Sequence, residues 1–205
     1  MSSEKLAGLN VSRETLDRLE AYRLLLKKWN PAINLVAKST IEMAWERHFV
    51  DSAQVFRYAP QGMSKWCDLG SGGGFPGLVC ATLAKEESPD IVFTMVESDQ
   101  RKATFLRTVV RELDLNANVI SKRIEDIEPL QTDIVTARAL APLPKLLDYA
   151  ERHLVKTGRG IFLKGTSFRD ELSKSLETWR FNHEEYASLT DSESVILLIG
   201  DIERV

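Results

Sequence analysis

The residues best suited to chemistry in this chain lie in the run Asp68-Leu69-Gly70-Ser71-Gly72-Gly73-Gly74-Phe75-Pro76-Gly77. A short apolar stretch ends in an acid. Glycines follow, then a proline, then Leu78, Val79, Ala81, Leu83 and Ala84 at helical spacing. Glycine permits positive φ and lets a ligand approach the backbone with no Cβ in the way. A helix beginning behind the glycines offers free N–H groups, and proline suits its start because the missing N–H forfeits no intrahelical bond there. A phosphate loop is ruled out, since Leu78 stands where lysine is required. The dinucleotide pattern G-x-G-x-x-G fits Gly72, Gly74 and Gly77. That register sets Asp68 close to a pyrophosphate, and like charges 4 Å apart repel by roughly 4 kcal/mol at an effective dielectric of about 20. The register Asp68-x-Gly70-x-Gly72-x-Gly74 avoids this conflict. It closes a strand with an acid and suits a ligand that brings positive charge, such as the ammonium and sulfonium of S-adenosylmethionine.

Further candidates follow downstream. Glu97 ends the apolar run 91–96, where a carboxylate can accept both hydroxyls of a ribose or cap the next helix. Arg138 follows the run 133–137 and is flanked by Ala139, Leu140 and Ala141. A guanidinium among small apolar residues needs a partner, either a protein carboxylate or an anionic ligand group. Lys164, at the end of the next strand, is similarly placed. Upstream, Arg47, His48, Asp51 and Ser52 form a polar cluster in which His48 and Asp51 share a helix face; an interhelix hydrogen-bonded pair accounts for it as well as an active-site wall does. Composition reads Arg123, Glu125 and Asp126 as a solvated turn. No metal site is expected, because His153 and His183 are the only other histidines.

Elements that alternate between strand and helix must position these residues. Helices are expected over 12–30, with Ser12 as N-cap and Asn30-Pro31 as the stop, and from a capping box at 39–42. Strands are expected before Gly70 and at 91–96, 118–121, 133–137 and 160–164, with helices over 99–113, 143–154 and 169–178. Two strands around 184–189 and 195–199 read as a terminal hairpin at the sheet edge. The fold class is therefore α/β, a mainly parallel sheet covered on both faces, with ligands beyond the carboxyl ends of the strands. Residues 1–60 form an N-terminal helical extension and 61–205 the sheet domain, packed as one globular unit.

A chain of 205 residues can bury a proper core. No apolar run approaches the roughly 18 residues of a membrane span, and the N-terminus lacks the apolar segment of a signal peptide. Cys67 and Cys80 read as buried reduced thiols, so a cytoplasmic protein is expected. A net charge of −3 argues against coating naked nucleic acid while leaving room for one local basic face.

The loop 68–77 resembles the cofactor motif of the bacterial small-subunit ribosomal RNA guanine-N7 methyltransferase G family, also called glucose-inhibited division protein B. Trp29-Asn-x-x-Ile-Asn-Leu35, Arg47-His-x-x-Asp-Ser52, Val96-Glu-Ser-x-x-Arg-Lys102 and Thr136-Ala-Arg-Ala139 are similar to the same family. The resemblance covers about residues 15–165. It implies a Rossmann-like S-adenosylmethionine-dependent methyltransferase sheet, with methyl transfer to N7 of a guanosine in small-subunit ribosomal RNA. Its cofactor residues carry over to Gly70, Phe75, Ile124, Glu125 and Arg138, to which the residue reading adds Asp68, Gly72 and Glu97. Arg47, His48 and Lys164 become candidates for RNA contact. No catalytic side chain is expected beyond a marginal His48, because the reaction needs positioning alone. The partner is ribosomal RNA or a ribosomal particle, met by a monomer. Two departures stand out: the last strand is entered by Ser192-Glu-Ser rather than a basic residue, and Glu97 replaces the family's frequent Asp. The alternatives are an NAD-dependent oxidoreductase, for which no Tyr-Lys pair or polarising His stands at a strand end, a methyltransferase with another acceptor, and a cofactor-binding module without catalysis.

Overall fold

In the computed structural model, which describes residues 4–205, a seven-stranded sheet runs in the order Ala117–Ile120 (β5), Val92–Val96 (β4), Lys65–Leu69 (β3), Thr132–Arg138 (β6), Leu154–Lys164 (β7), Val195–Arg204 (β9) and Trp179–Ala187 (β8). The central parallel strands are β3 (Lys65–Leu69), β4 (Val92–Val96), β5 (Ala117–Ile120), β6 (Thr132–Arg138) and β7 (Leu154–Lys164). The closing hairpin, β8 (Trp179–Ala187) and β9 (Val195–Arg204), places β9 antiparallel against β7 and leaves β8 at the edge. Helices α3 (Gly77–Glu87), α4 (Gln100–Glu112), α5 (Leu143–His153) and α6 (Phe168–Ser175) join the strands. The expected alternation and the edge hairpin are both present.

The strands read as apolar runs because both faces are covered. Trp66, Phe93, Met95, Ile134 and Ile161 point into one core, shared with α3 and α4. Their neighbours Cys67, Leu69, Val96, Val135 and Phe162 point into the other, against α5 and α6. Helix α1 (Arg13–Ile33) joins the first core through Leu19, Tyr22 and Leu26, all fully buried. Burying each such side chain contributes roughly 1.5–3 kcal/mol.

Two expectations at the N-terminal end are corrected. Pro31 does not stop α1, which runs on to Ile33. A proline in the last turn forfeits only one bond, and Asn34, left-handed at φ 49°, returns its N–H to the Asn30 carbonyl. The capping box at 39–42 does not form. Thr40 donates its hydroxyl to the Ala37 carbonyl, and the Glu42 carboxylate lies 3.0 Å from Lys27. The helical segment instead opens with a π-helical stretch, Trp45–Val50, and continues as α2 (Asp51–Phe56). The sequence reading also missed a small hairpin, β1 (Glu4–Leu6) with β2 (Leu9–Val11), turned by Ala7 and Gly8 at positive φ.

Candidate active site

The carboxyl ends of β3, β6 and β7 open into a cavity of about 680 Å³. Its floor is the glycine loop. Gly70, Gly72 and Gly74 have φ of 64°, 55° and 92°, so the glycines at alternate positions are those the backbone requires to be left-handed. Gly72 alone of the three faces open space, since a Cβ there would meet nothing nearer than the Gly70 carbonyl at 3.8 Å. Gly77 serves packing instead: its Cβ would sit 2.6 Å from the Asp68 Cβ and from the Met95 sulfur, so α3 lies directly on β3 and β4. Helix α1 reaches across to hold the loop, because the buried Tyr22 hydroxyl donates to the Gly73 carbonyl.

Asp68 lies beneath this loop rather than on the cavity wall. It is 1% exposed, and its Oδ1 accepts from Thr136 Oγ1 at 2.8 Å while Oδ2 has no hydrogen bond of its own. Trp66 Nε1 donates in turn to Thr136 Oγ1 at 3.1 Å. Burial pushes the Asp68 carboxyl up to about 6, against the Thr136 hydrogen bond and the field of Arg138. Glu97, also buried, ties two turns together: Oε2 accepts from Gly72 N and Oε1 from Asp99 N, both at 2.8 Å.

Arg138 and Phe75 are on the wall. The guanidinium lies 4.9 Å from the Phe75 ring centroid, and Arg138 Nη1 is 3.2 Å from Asp51 Oδ2. The partner that Arg138 required is thus a carboxylate from α2. Lys164, also on the wall, pairs with Glu171 at 2.6 Å and donates to the Ala141 carbonyl. Arg47 and His48 come from the π-helical stretch, with Arg47 3.8 Å from Asp191 of the β8–β9 turn. His48 stacks on Phe75, its Nε2 is 2.9 Å from Thr40 Oγ1, and its Nδ1 is buried without a partner. Burial and the positive charges of Arg138 and Arg47 hold its pKa down at about 4, so the imidazole is neutral at physiological pH.

The structure therefore brings Arg47, His48, Gly70, Gly72, Phe75, Arg138 and Lys164 to one cavity. Ile124 and Glu125 are not on its wall. Ile124 is buried in the core beside α5, and Glu125 accepts from Tyr149 at 2.6 Å. Sequence reasoning missed Gln54, Ser188 and Thr190, which also face the cavity. The signal available was that Gln54, one helical turn beyond Asp51, continues its face. A turn between two strands gives no comparable signal.

The family model described as rRNA small subunit methyltransferase G matches residues 15–196. The chain belongs to this family. The Ribosomal RNA small subunit methyltransferase G of Ruegeria pomeroyi is 52% identical over 197 residues, 96% of each chain, and that of Cereibacter sphaeroides is 45% identical over the full length of both. Among solved structures, the ribosomal protein L11 methylase of Lactobacillus delbrueckii superposes with a TM-score of 0.59 at 14% identity, over 75% of this chain and 78% of that one. A TehB-like SAM-dependent methyltransferase from Corynebacterium glutamicum gives 0.58 at 15%, over 89% and 98%. These last two likenesses speak for the fold, a Rossmann-like methyltransferase sheet, and for nothing more. The glycine loop faces the cavity with open space at Gly72, and Glu97, at the end of the neighbouring strand, lies behind the wall with both oxygens on backbone N–H groups.

Proposed function

We propose that this protein transfers a methyl group from S-adenosylmethionine to N7 of a guanosine in small-subunit ribosomal RNA. The observation that carries this reading is the family match across residues 15–196. The site's chemistry supports it. Bound in the cradle, the cofactor supplies an electrophilic methyl group on a sulfonium. Gly72, open on its Cβ side, would let it lie against the backbone. Each Glu97 oxygen holds one backbone N–H and keeps a second lone pair with which to accept a ribose hydroxyl. Arg138, oriented by Asp51, presents its remaining donors to an anionic group.

N7 of guanine carries an in-plane lone pair and no proton, so no side chain has to deprotonate it first. The cavity suits this acceptor, because His48 is neutral with one nitrogen engaged by Thr40. The contribution left to the chain is to hold acceptor and donor in line at attack distance. The described part of the N-terminal extension, residues 4–60, belongs to the same working unit, since Tyr22 and the π-helical stretch help to build the site. The reading includes a cytoplasmic monomer acting on ribosomal RNA or a ribosomal particle, with Ile124 and Glu125 at the adenine end of the site. Mapping modified nucleosides in ribosomal RNA from a strain lacking the gene, followed by methyl transfer to its ribosomal subunits, tests the proposal. Loss of one 7-methylguanosine, restored by the purified protein, is expected. Unchanged 7-methylguanosine content refutes it.

A further inference from the structure

Asp51 stands between the two ends of the cavity, and its carboxylate is divided between them. Oδ2 lies 3.2 Å from Arg138 Nη1, the guanidinium beside the glycine loop, and both side chains are less than a fifth exposed. Oδ1 accepts from Thr190 Oγ1 at 2.8 Å and from Gln54 Nε2 at 2.9 Å. Gln54, 1% exposed, spends the rest of its amide on the same β8–β9 turn, donating to Ser188 Oγ at 3.1 Å and accepting from Leu189 N at 2.9 Å. A turn at the sheet edge is thereby fixed over the cavity by two side chains of α2. The π-helical stretch just before Asp51 adds to the case, because such irregular turns re-aim the following side chains and recur at functional sites.

Breaking a buried, hydrogen-bonded ion pair by removing one partner is costly, and a planar guanidinium held by a carboxylate loses its freedom to swing. Methyl transfer between two bound molecules needs each of them held from its own side. We propose that Asp51 is a positioning residue that couples the two sides. One oxygen sets Arg138 against the cofactor, and the other sets the turn 188–194 as the wall facing the acceptor nucleotide. The second half of this statement rests on the methyl transfer to RNA proposed above. Asp51 touches neither reacting atom and acts through Arg138 and Thr190.

Two quantities separate the arms: the Kd for S-adenosylhomocysteine by calorimetry, and the KM for ribosomal subunits from a strain lacking the gene. Thermal unfolding confirms that each variant is folded. Asp51→Asn is expected to raise both by about tenfold, the scale of a lost charge-assisted hydrogen bond. In an Arg138→Met background the same change should leave Kd within twofold while still raising KM. Thr190→Val should raise KM and leave Kd within twofold. An equal loss of cofactor affinity in both backgrounds overturns the Arg138 arm, because a merely structural Asp51 acts with or without that arginine. An unchanged KM in Thr190→Val overturns the turn arm. If Asp51→Asn does not fold, Arg138→Met must raise Kd and Thr190→Val must raise KM. Either variant moving only the other's quantity refutes the proposal. Failure of the wild-type protein to methylate any ribosomal subunit overturns the proposed acceptor, whereas the Asp51–Arg138 coupling is read from cofactor binding and stands or falls separately.

Discussion

Replacing Asp68 by asparagine should stabilise the protein near neutral pH and impair it as an enzyme. The carboxyl is 1% exposed, with one hydrogen bond to Oδ1 and none to Oδ2. Burial raises its pKa from 3.8 to about 6. With the folded value above the unfolded one, the native state holds more protons between those two pH values. Stability therefore falls as pH rises through that window and stays reduced above it. At about 1.4 kcal/mol per pH unit, the span of about 2 units amounts to roughly 3 kcal/mol at pH 7. Asparagine keeps an oxygen for Thr136 and carries no charge. Urea unfolding of both proteins from pH 4.5 to 7.5 isolates the effect, because His48 and the other titrating groups cancel in the difference. The advantage of the Asp68→Asn variant should be smallest at pH 4.5 and grow toward pH 7, while its affinity for S-adenosylmethionine drops through loss of the negative charge beneath the loop. A stability difference that is the same at every pH refutes the argument that a buried, ionised Asp68 burdens the fold.

Gly72→Ala and Gly77→Ala should part company: Gly72→Ala fills open space at φ 55° and abolishes cofactor binding for about 1–2 kcal/mol of strain, whereas Gly77→Ala presses on Asp68 and Met95 and costs about 1–3 kcal/mol by overpacking. Calorimetry with S-adenosylhomocysteine, read beside urea midpoints, checks the pair. Tyr22→Phe should destabilise by about 1–2 kcal/mol, because it leaves the buried Gly73 carbonyl without its donor, and should weaken cofactor binding; unchanged binding would detach α1 from the site. Single-turnover methyl transfer should be flat from pH 6.5 to 8.5, since His48 is already neutral there, and should fall below pH 6 as Asp68 takes up a proton. A tenfold rise per pH unit through that range, lost in His48→Asn, would show that a general base is needed. RNA binding should be weak for arbitrary sequences and shallow in salt dependence, a steep slope with tight binding to any RNA being the contrary result.

The central strands were legible because a strand covered on both faces has little choice but to be apolar, and the glycine register was legible because positive φ at alternate positions leaves few other residues. Legibility fails where partners are distant in the chain. Arg138 advertised its need for a partner, but Asp51 lies 87 residues before it and Thr190 is 139 residues beyond Asp51, so nothing local announces the junction. The first strand of the edge hairpin was expected to start at residue 184 but starts at Trp179, since Arg180, Asn182 and His183 interrupt its apolar pattern where it faces solvent. Ile124 and Glu125 entered as site residues through resemblance. The structure sets them beside α5, away from the cavity wall, and their part in cofactor binding stays a proposal.

Charge pairing inside the cavity is the physical basis for the weak binding to arbitrary RNA predicted above. Three cations on the wall face carboxylates of the protein: Arg138 with Asp51, Lys164 with Glu171 and Arg47 with Asp191. Among the described residues Lys102, also on the wall, has no ion-pair partner. Such pairing spends most of the positive field before any phosphate arrives, and it adds little stability, because removing buried charges from water offsets most of their attraction. What it supplies is direction. A paired guanidinium points one way and keeps unused donors along one edge, so it can read the shape of a ligand while contributing little long-range pull. On the proposed role of Asp51, selection of the acceptor then falls to the fit between a folded RNA and the walls, and above all to the turn that Asp51 and Gln54 hold in place.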